Sequence, residues 1–240
     1  HYRALLDKAI NPEDYECGSP TFLDTYAGSI LQDFTAEDLD LMFNWNVIPL
    51  IEAIEYDFTQ GDDEFGANGE YTTSLQRSFI GLKRFWDIPK DILLVDMKGS
   101  TFENEAVVSQ IFQDFFIVGF GGGGAPVFAP KELADDFANF LKIAFSAPVF
   151  QNYAHPFFTF NAVAVSGNPE TGFPNKIVMG DGVMEAYRAN GFRTIADNFI
   201  LAHEYGHQIQ YANGYIPDGQ RTPEGTRFIE LMADAYAAYY

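Results

Sequence analysis

The chain has 240 residues, a formal net charge of −20 at pH 7 and a pI near 4.3. With 14 Lys and Arg against 34 Asp and Glu, it lacks the basic surface that nucleic acid or an anionic membrane would need, since each phosphate contact calls for a cation. A composition that is 47% hydrophobic and 16% aromatic supplies a sizeable core and excludes overall disorder.

No apolar run approaches the roughly 20 residues that span a bilayer, and no charged-then-apolar leader is seen, so a soluble chain with no transmembrane segment is expected. Opening on His1 without Met suggests either processing or an artificial boundary. Cys17 is the single cysteine, which removes intramolecular disulfides and Cys-based zinc sites and leaves any metal to His and carboxylate. Its scarcity fits a bacterial extracellular protein as well as a cytosolic one; a secreted or cell-surface location is the expectation.

In chain order, Thr35-Ala36-Glu37-Asp38 is a helix start ahead of Leu39, Met42, Phe43 and Val47, with Pro49 expected to kink or interrupt the helix beyond it. Residues 55–70 read as an acidic, Gly-punctuated loop and 71–86 as an amphipathic helix. Residues 91–97 form a short apolar run of strand length. Residues 102–118 and 130–145 read as helices, separated by Phe120 and the glycines 121–124. From 155 the pattern turns to strands at 157–165 and 176–179, joined by a loop holding Gly167, Pro169, Gly172 and Pro174. Only helices come after these: 194–212, stopped at Asn213-Gly214, and one opened by the cap Thr222, with Pro223 and Glu224 in its first turn. No linker divides the chain. The reading is a single α+β domain over 1–240, with a helix-rich part to residue 90 and a sheet with two long helices over 91–240.

The penultimate helix carries His203-Glu204-Tyr205-Gly206-His207, an HExxH string. Residues i and i+4 project from one helix face, so both imidazoles can hold one metal ion, while Glu204 on the flank can reach a water without becoming a ligand. Glu230 and Asp234 form an i, i+4 acid pair in the next helix, set among Phe228, Ile229, Leu231, Met232 and Ala235. A carboxylate face in such apolar company asks for a cation or an imidazole N–H.

The order Asn161-Ala162-Val163-Ala164, then Ala202-His203-Glu204-x-Gly206-His207, then Glu230-Leu231-x-Ala233-Asp234-Ala235 resembles the gluzincin zinc metallopeptidases, especially a bacterial neutral zinc metallopeptidase group and, more distantly, thermolysin-like enzymes. The likeness covers residues 155–240. It implies a zincin-like fold: a small mixed sheet with an edge substrate strand, an HExxH helix and a third-ligand helix. It further implies Zn²⁺ bound by His203, His207 and Glu230, Glu204 as general base, and Asp234 orienting a ligand His. Asn161 and Ala162 would hold the substrate backbone, and Ile200, three residues before His203, would wall a pocket favouring Leu, Phe or Ile just after the scissile bond. Members of the family continue past the third-ligand helix and often supply a Tyr or His to the oxyanion. Here, either the sequence is a fragment or the N-terminal helices close the cleft, and His155, Tyr211, Tyr215 and Tyr236 are the candidates for that donor.

The expected function is thus a zinc endopeptidase acting on a peptide or protein substrate. The alternatives are a zincin-like metal-binding module without catalysis, structural or surface-binding, and a helical binding protein with a chance motif. The 121–124 glycines lack the Lys-Ser/Thr of a phosphate loop. Asp57, Asp62, Asp63, Glu64 and Glu70 miss the EF-hand spacing and read as a solvated acidic loop.

Overall fold

The computed structural model describes residues 21–59, 61, 64–88, 91–116, 119–120, 126–168, 170, 172–216 and 222–240. His1, Cys17, Asp62, Asp63 and the glycines 121–124 lie outside them. Helix α1 (Phe22–Ile30) starts at a capping box formed by Thr21 and Asp24, an element the sequence reading had not marked. The same device starts α2 (Ala36–Asn44): the Asp38 N–H donates to the Thr35 hydroxyl at 3.2 Å, and the Asp38 carboxylate accepts the Thr35 N–H at 2.9 Å.

Pro49 does not kink a helix. The chain breaks before it, at Asn46 in the left-handed region (φ 49°), and Pro49 falls in the first turn of α3 (Val47–Phe58), where a missing N–H costs nothing. Helix α3 also runs past Glu55, so the acidic loop is shorter than expected. Its end is held by the buried Lys176 ammonium, which donates to the carbonyls of Glu55 (3.1 Å), Tyr56 and Thr59, a cation set against the negative end of the helix. Helix α4 (Thr72–Phe85) comes next.

Strand β1 (Ile92–Met97) leads into a 3₁₀ turn (Gly99–Glu103), α5 (Glu105–Asp114), the two-residue ribbon of β2 (Gly119–Phe120) with β3 (Pro126–Val127), and α6 (Lys131–Phe145). The first 3₁₀ turn takes in Phe102 and Glu103, the first two residues of the helix expected over 102–118, and the helix itself starts only at Glu105. A second correction concerns 157–161: Pro156 opens another 3₁₀ turn (Pro156–Thr159), and only β4 (Ala162–Val165) is extended. Phe158 is instead buried against Phe102, Phe145 and Phe150. Strand β5 (Asn175–Gly180), α7 (Asp181–Ala189), α8 (Arg193–Asn213) and α9 (Pro223–Tyr239) complete the order.

The three-stranded sheet runs β1-β5-β4, with β1 parallel to β5 (Ile92↔Asn175) and β4 antiparallel to it (Ala162↔Met179). The architecture is therefore α+β, mostly helical, around a small mixed sheet with β5 at its centre and β1 and β4 at its two edges. Alternation along the strands sends Val95, Met97 and Val178 into a Phe-rich cluster with α2, α3, α5 and α6. Ile92, Leu94, Ala164, Ile177 and Met179 enter a second cluster with α4, α7, α8 and α9. Burial on both faces is why β1 begins with an unbroken apolar run, Ile92 to Val95, before the buried Asp96.

Helix α8 is fastened to the sheet by the buried Gln208, whose Nε2 donates to the carbonyls of Val165 (3.1 Å) and Lys176 (2.8 Å). Gly214, left-handed at φ 66°, ends it. The Thr222 hydroxyl caps α9 by accepting the Gly225 N–H at 3.1 Å. Helices α8 and α9 pack antiparallel: His203 meets Asp234 while Gln210 meets Ile229. Gly206 permits this closeness, because a Cβ there would lie 2.9 Å from Ala233 Cα. Among the described residues, no helix is long and apolar enough to cross a membrane.

Candidate metal centre

Helical spacing places His203 and His207 on the side of α8 that faces α9, with ring centroids 4.8 Å apart and planes nearly perpendicular at 86°. Their Nε2 atoms are 3.2 Å apart. Glu230 Oε2 reaches across from α9 to within 3.1 Å of His203 Nε2 and 3.5 Å of His207 Nε2. These edges can be set against the ion that His and carboxylate prefer. Ligand bonds of about 2.0–2.1 Å in tetrahedral geometry require donor atoms about 3.3–3.4 Å apart. The three atoms fit that spacing. No other group of three or more His, Cys, Asp or Glu side chains with metal-binding geometry occurs among the described residues.

Each imidazole is held from behind. His203 Nδ1–H donates to Asp234 Oδ1 at 2.8 Å, and His207 Nδ1–H donates to Gln210 Oε1 at 2.8 Å. Because both partners are acceptors, Nδ1 carries a proton in each ring, and Nε2 is the nitrogen turned toward the shared point, where a metal would take the place of its proton. Gln210 is not among the residues that the sequence reading singled out. Its cue was there: i+3 from His207 and i+7 from His203 is one helix face.

Glu204 is buried on the flank of α8 and is not part of the triangle. Burial pushes its carboxyl up to about 7, against the pull of His207, His203 and the Ala164 N–H. Burial lowers His203, but Glu230, Glu204 and Asp234 outweigh it and carry the imidazole to about 9. Hydrogen bonds from His203 and then His207 hold Glu230 down at about 2.

The triangle lies in a cleft of about 470 Å³ that Asn161, Ala162, Val163 and Ala164 of the edge strand also line, with Tyr211, Ile216 and Ile229. Asn161 and Ala162 are thus beside the metal-ligand candidates, although the Asn161 amide donates to Glu52. Burial raises the Glu52 carboxyl. Ile200 is not brought to the cleft. It packs against the second core cluster, to which Tyr236 and Ala237 of α9 also belong, and Ile216 and Ile229 supply the apolar lining instead. Of the oxyanion candidates only Tyr211 lines the cleft, and its hydroxyl donates to the Ala164 carbonyl at 3.2 Å. His155 Nε2 is 3.0 Å from the Ile30 carbonyl, among phenylalanines, whereas Tyr215 and Tyr236 line an aromatic groove with Trp86.

No protein-family model, curated protein or solved structure matches the chain.

Proposed function

We propose that the chain is a zinc-dependent endopeptidase with a zincin-like catalytic half. The observation that carries this reading is the triangle of His203 Nε2, His207 Nε2 and Glu230 Oε2, with edges of 3.1, 3.2 and 3.5 Å, built by two helices beside an edge strand. A Zn²⁺ held by these three residues supplies Lewis acidity that polarises a peptide carbonyl and acidifies water. Glu204 stands next to the triangle without belonging to it, which suits a base. In that arrangement it would take a proton from the attacking water and return it to the leaving amine. Asp234 and Gln210 keep the two imidazoles in the ligating tautomer. The free edge of β4 at Ala162 offers backbone groups to an extended peptide, which adds as a further strand.

A catalytic role is favoured over a purely structural metal because a structural site fills all four positions with protein, and three such donors converge here. The test pairs elemental analysis of zinc-loaded protein with a mixed-peptide digest, with and without chelator. About one zinc per chain and chelator-sensitive cleavage are expected; zinc below a tenth of an equivalent refutes the reading, and zinc without cleavage leaves the non-catalytic module.

A further inference from the structure

Gln210 is wholly buried one turn beyond His207, and both ends of its amide are engaged. Its Oε1 accepts the His207 Nδ1–H at 2.8 Å, and its Nε2 donates to the carbonyl of Ile229 at 2.7 Å. The second bond decides which way the amide faces, because a flipped amide would oppose its oxygen to the Ile229 carbonyl and its NH₂ to the imidazole N–H. Ile229 immediately precedes Glu230 in α9. One side chain therefore ties the second imidazole to the backbone that carries the third carboxylate, across the α8–α9 contact.

We propose that Gln210 is a positioning residue of the metal centre, one that sets the tautomer and orientation of His207 and couples them to the placement of Glu230. The proposal rests on the metal-site reading above. It explains why a fully buried amide occupies this position, where an apolar side chain would meet only packing needs: without it the buried His207 N–H would lose its partner, and the Ile229 carbonyl would keep only its bond within α9. Asp234 serves His203 in the same manner but from α9, so the two imidazoles are oriented from opposite helices.

Cobalt(II) binding, followed by its visible absorption spectrum, reads the centre directly and independently of turnover. Gln210→Met keeps the volume and removes both hydrogen bonds; Gln210→Asn shortens the reach by one methylene. Each is expected to weaken cobalt(II) binding about 10- to 100-fold while folded by circular dichroism, with an altered spectrum. Gln210→Glu keeps the acceptor for His207 but sets an oxygen against the Ile229 carbonyl, so it is expected to recover part of that affinity and to bind between the Met variant and the native chain. A folded Met or Asn variant that binds cobalt(II) within about threefold of the native chain, spectrum unchanged, overturns the proposal, and so does a Glu variant as weak as Met.

The native chain provides a measurement that needs no variant. In its zinc-loaded form, long-range ¹H–¹⁵N correlation should find the His207 proton on Nδ1; a proton on Nε2 overturns the assignment. Failure of the native chain itself to bind cobalt(II) or zinc would instead remove the metal centre, and Gln210's role with it.

Discussion

At the scale of single residues, Glu204 and the ligand triangle make separable predictions. Glu204→Gln keeps the shape of the side chain and removes its basicity, so peptide hydrolysis should fall about 10²- to 10⁴-fold with one zinc still bound; loss of the metal in that variant would mean Glu204 is a ligand. The metal-free chain should also carry a pH signature. His203, raised from 6.5 to about 9, adds stability that is full below pH 6.5 and lost as pH rises through 9. Glu230, lowered from 4.5 to about 2, adds stability that is full above pH 4.5 and lost as pH falls through 2. Glu204, raised from 4.5 to about 7, adds stability that is full below pH 4.5 and lost as pH rises through 7, a separate and more acidic slope. The contribution of the His203–Glu230 pair is thus greatest between pH 4.5 and 6.5. Melting temperatures of chelated protein should drop between pH 6.5 and 9, and zinc, which displaces the proton held between His203 and Glu230, should flatten that slope. A chelated chain with a level profile across this window would contradict the clustering of these groups. Much of this was legible in the sequence, since HExxH spacing alone puts two imidazoles and a flanking carboxylate on one helix. Ile200 was misplaced because counting back from His203 says which side of α8 it occupies and nothing about the partner that covers it.

At the scale of elements, the site depends on how closely α8 and α9 approach. Gly206 faces Ala233, and a Cβ there would come within 2.9 Å of Ala233 Cα and 3.0 Å of its carbonyl oxygen. Those are backbone atoms with no rotamer to change, so the helices must separate. Gly206→Ala should cost about 1–3 kcal/mol by overpacking and, because Glu230 travels with α9, should weaken zinc binding as well. Calorimetry and a zinc titration on one preparation check both; unchanged melting and affinity would place the helices further apart than described. Local signals marked several elements well: the Thr35 and Thr222 caps, the Gly214 stop and the β1 run. They failed at 157–161, where a Phe-rich stretch suits a strand and a buried turn equally, and Pro156 with the packing of Phe158 decided for the turn.

At the scale of the molecule, a net charge of −20 means that the compact state works against its own repulsion. Screening falls from about 30 Å at 0.01 M salt to about 8 Å at 0.15 M, so sodium chloride over that range should raise the melting temperature; a decrease would show that ion pairs such as Lys142–Glu105 (2.6 Å) outweigh the repulsion. The sequence by itself determined what depends on near neighbours: the acidic balance, the helix starts and stops, the apolar strand, and the His203, Glu204 and His207 stripe. Tertiary structure alone decided which faces meet. Glu230 and Asp234 are an ordinary i, i+4 pair until α9 lies antiparallel on α8, Gln210 is an ordinary amide until Ile229 turns it, and β4 is an edge only because β1 and β4 take opposite sides of β5. The reason is physical: spacing along a helix repeats every few residues and is written locally, while the convergence of three donor atoms from two helices depends on how closely their backbones can approach.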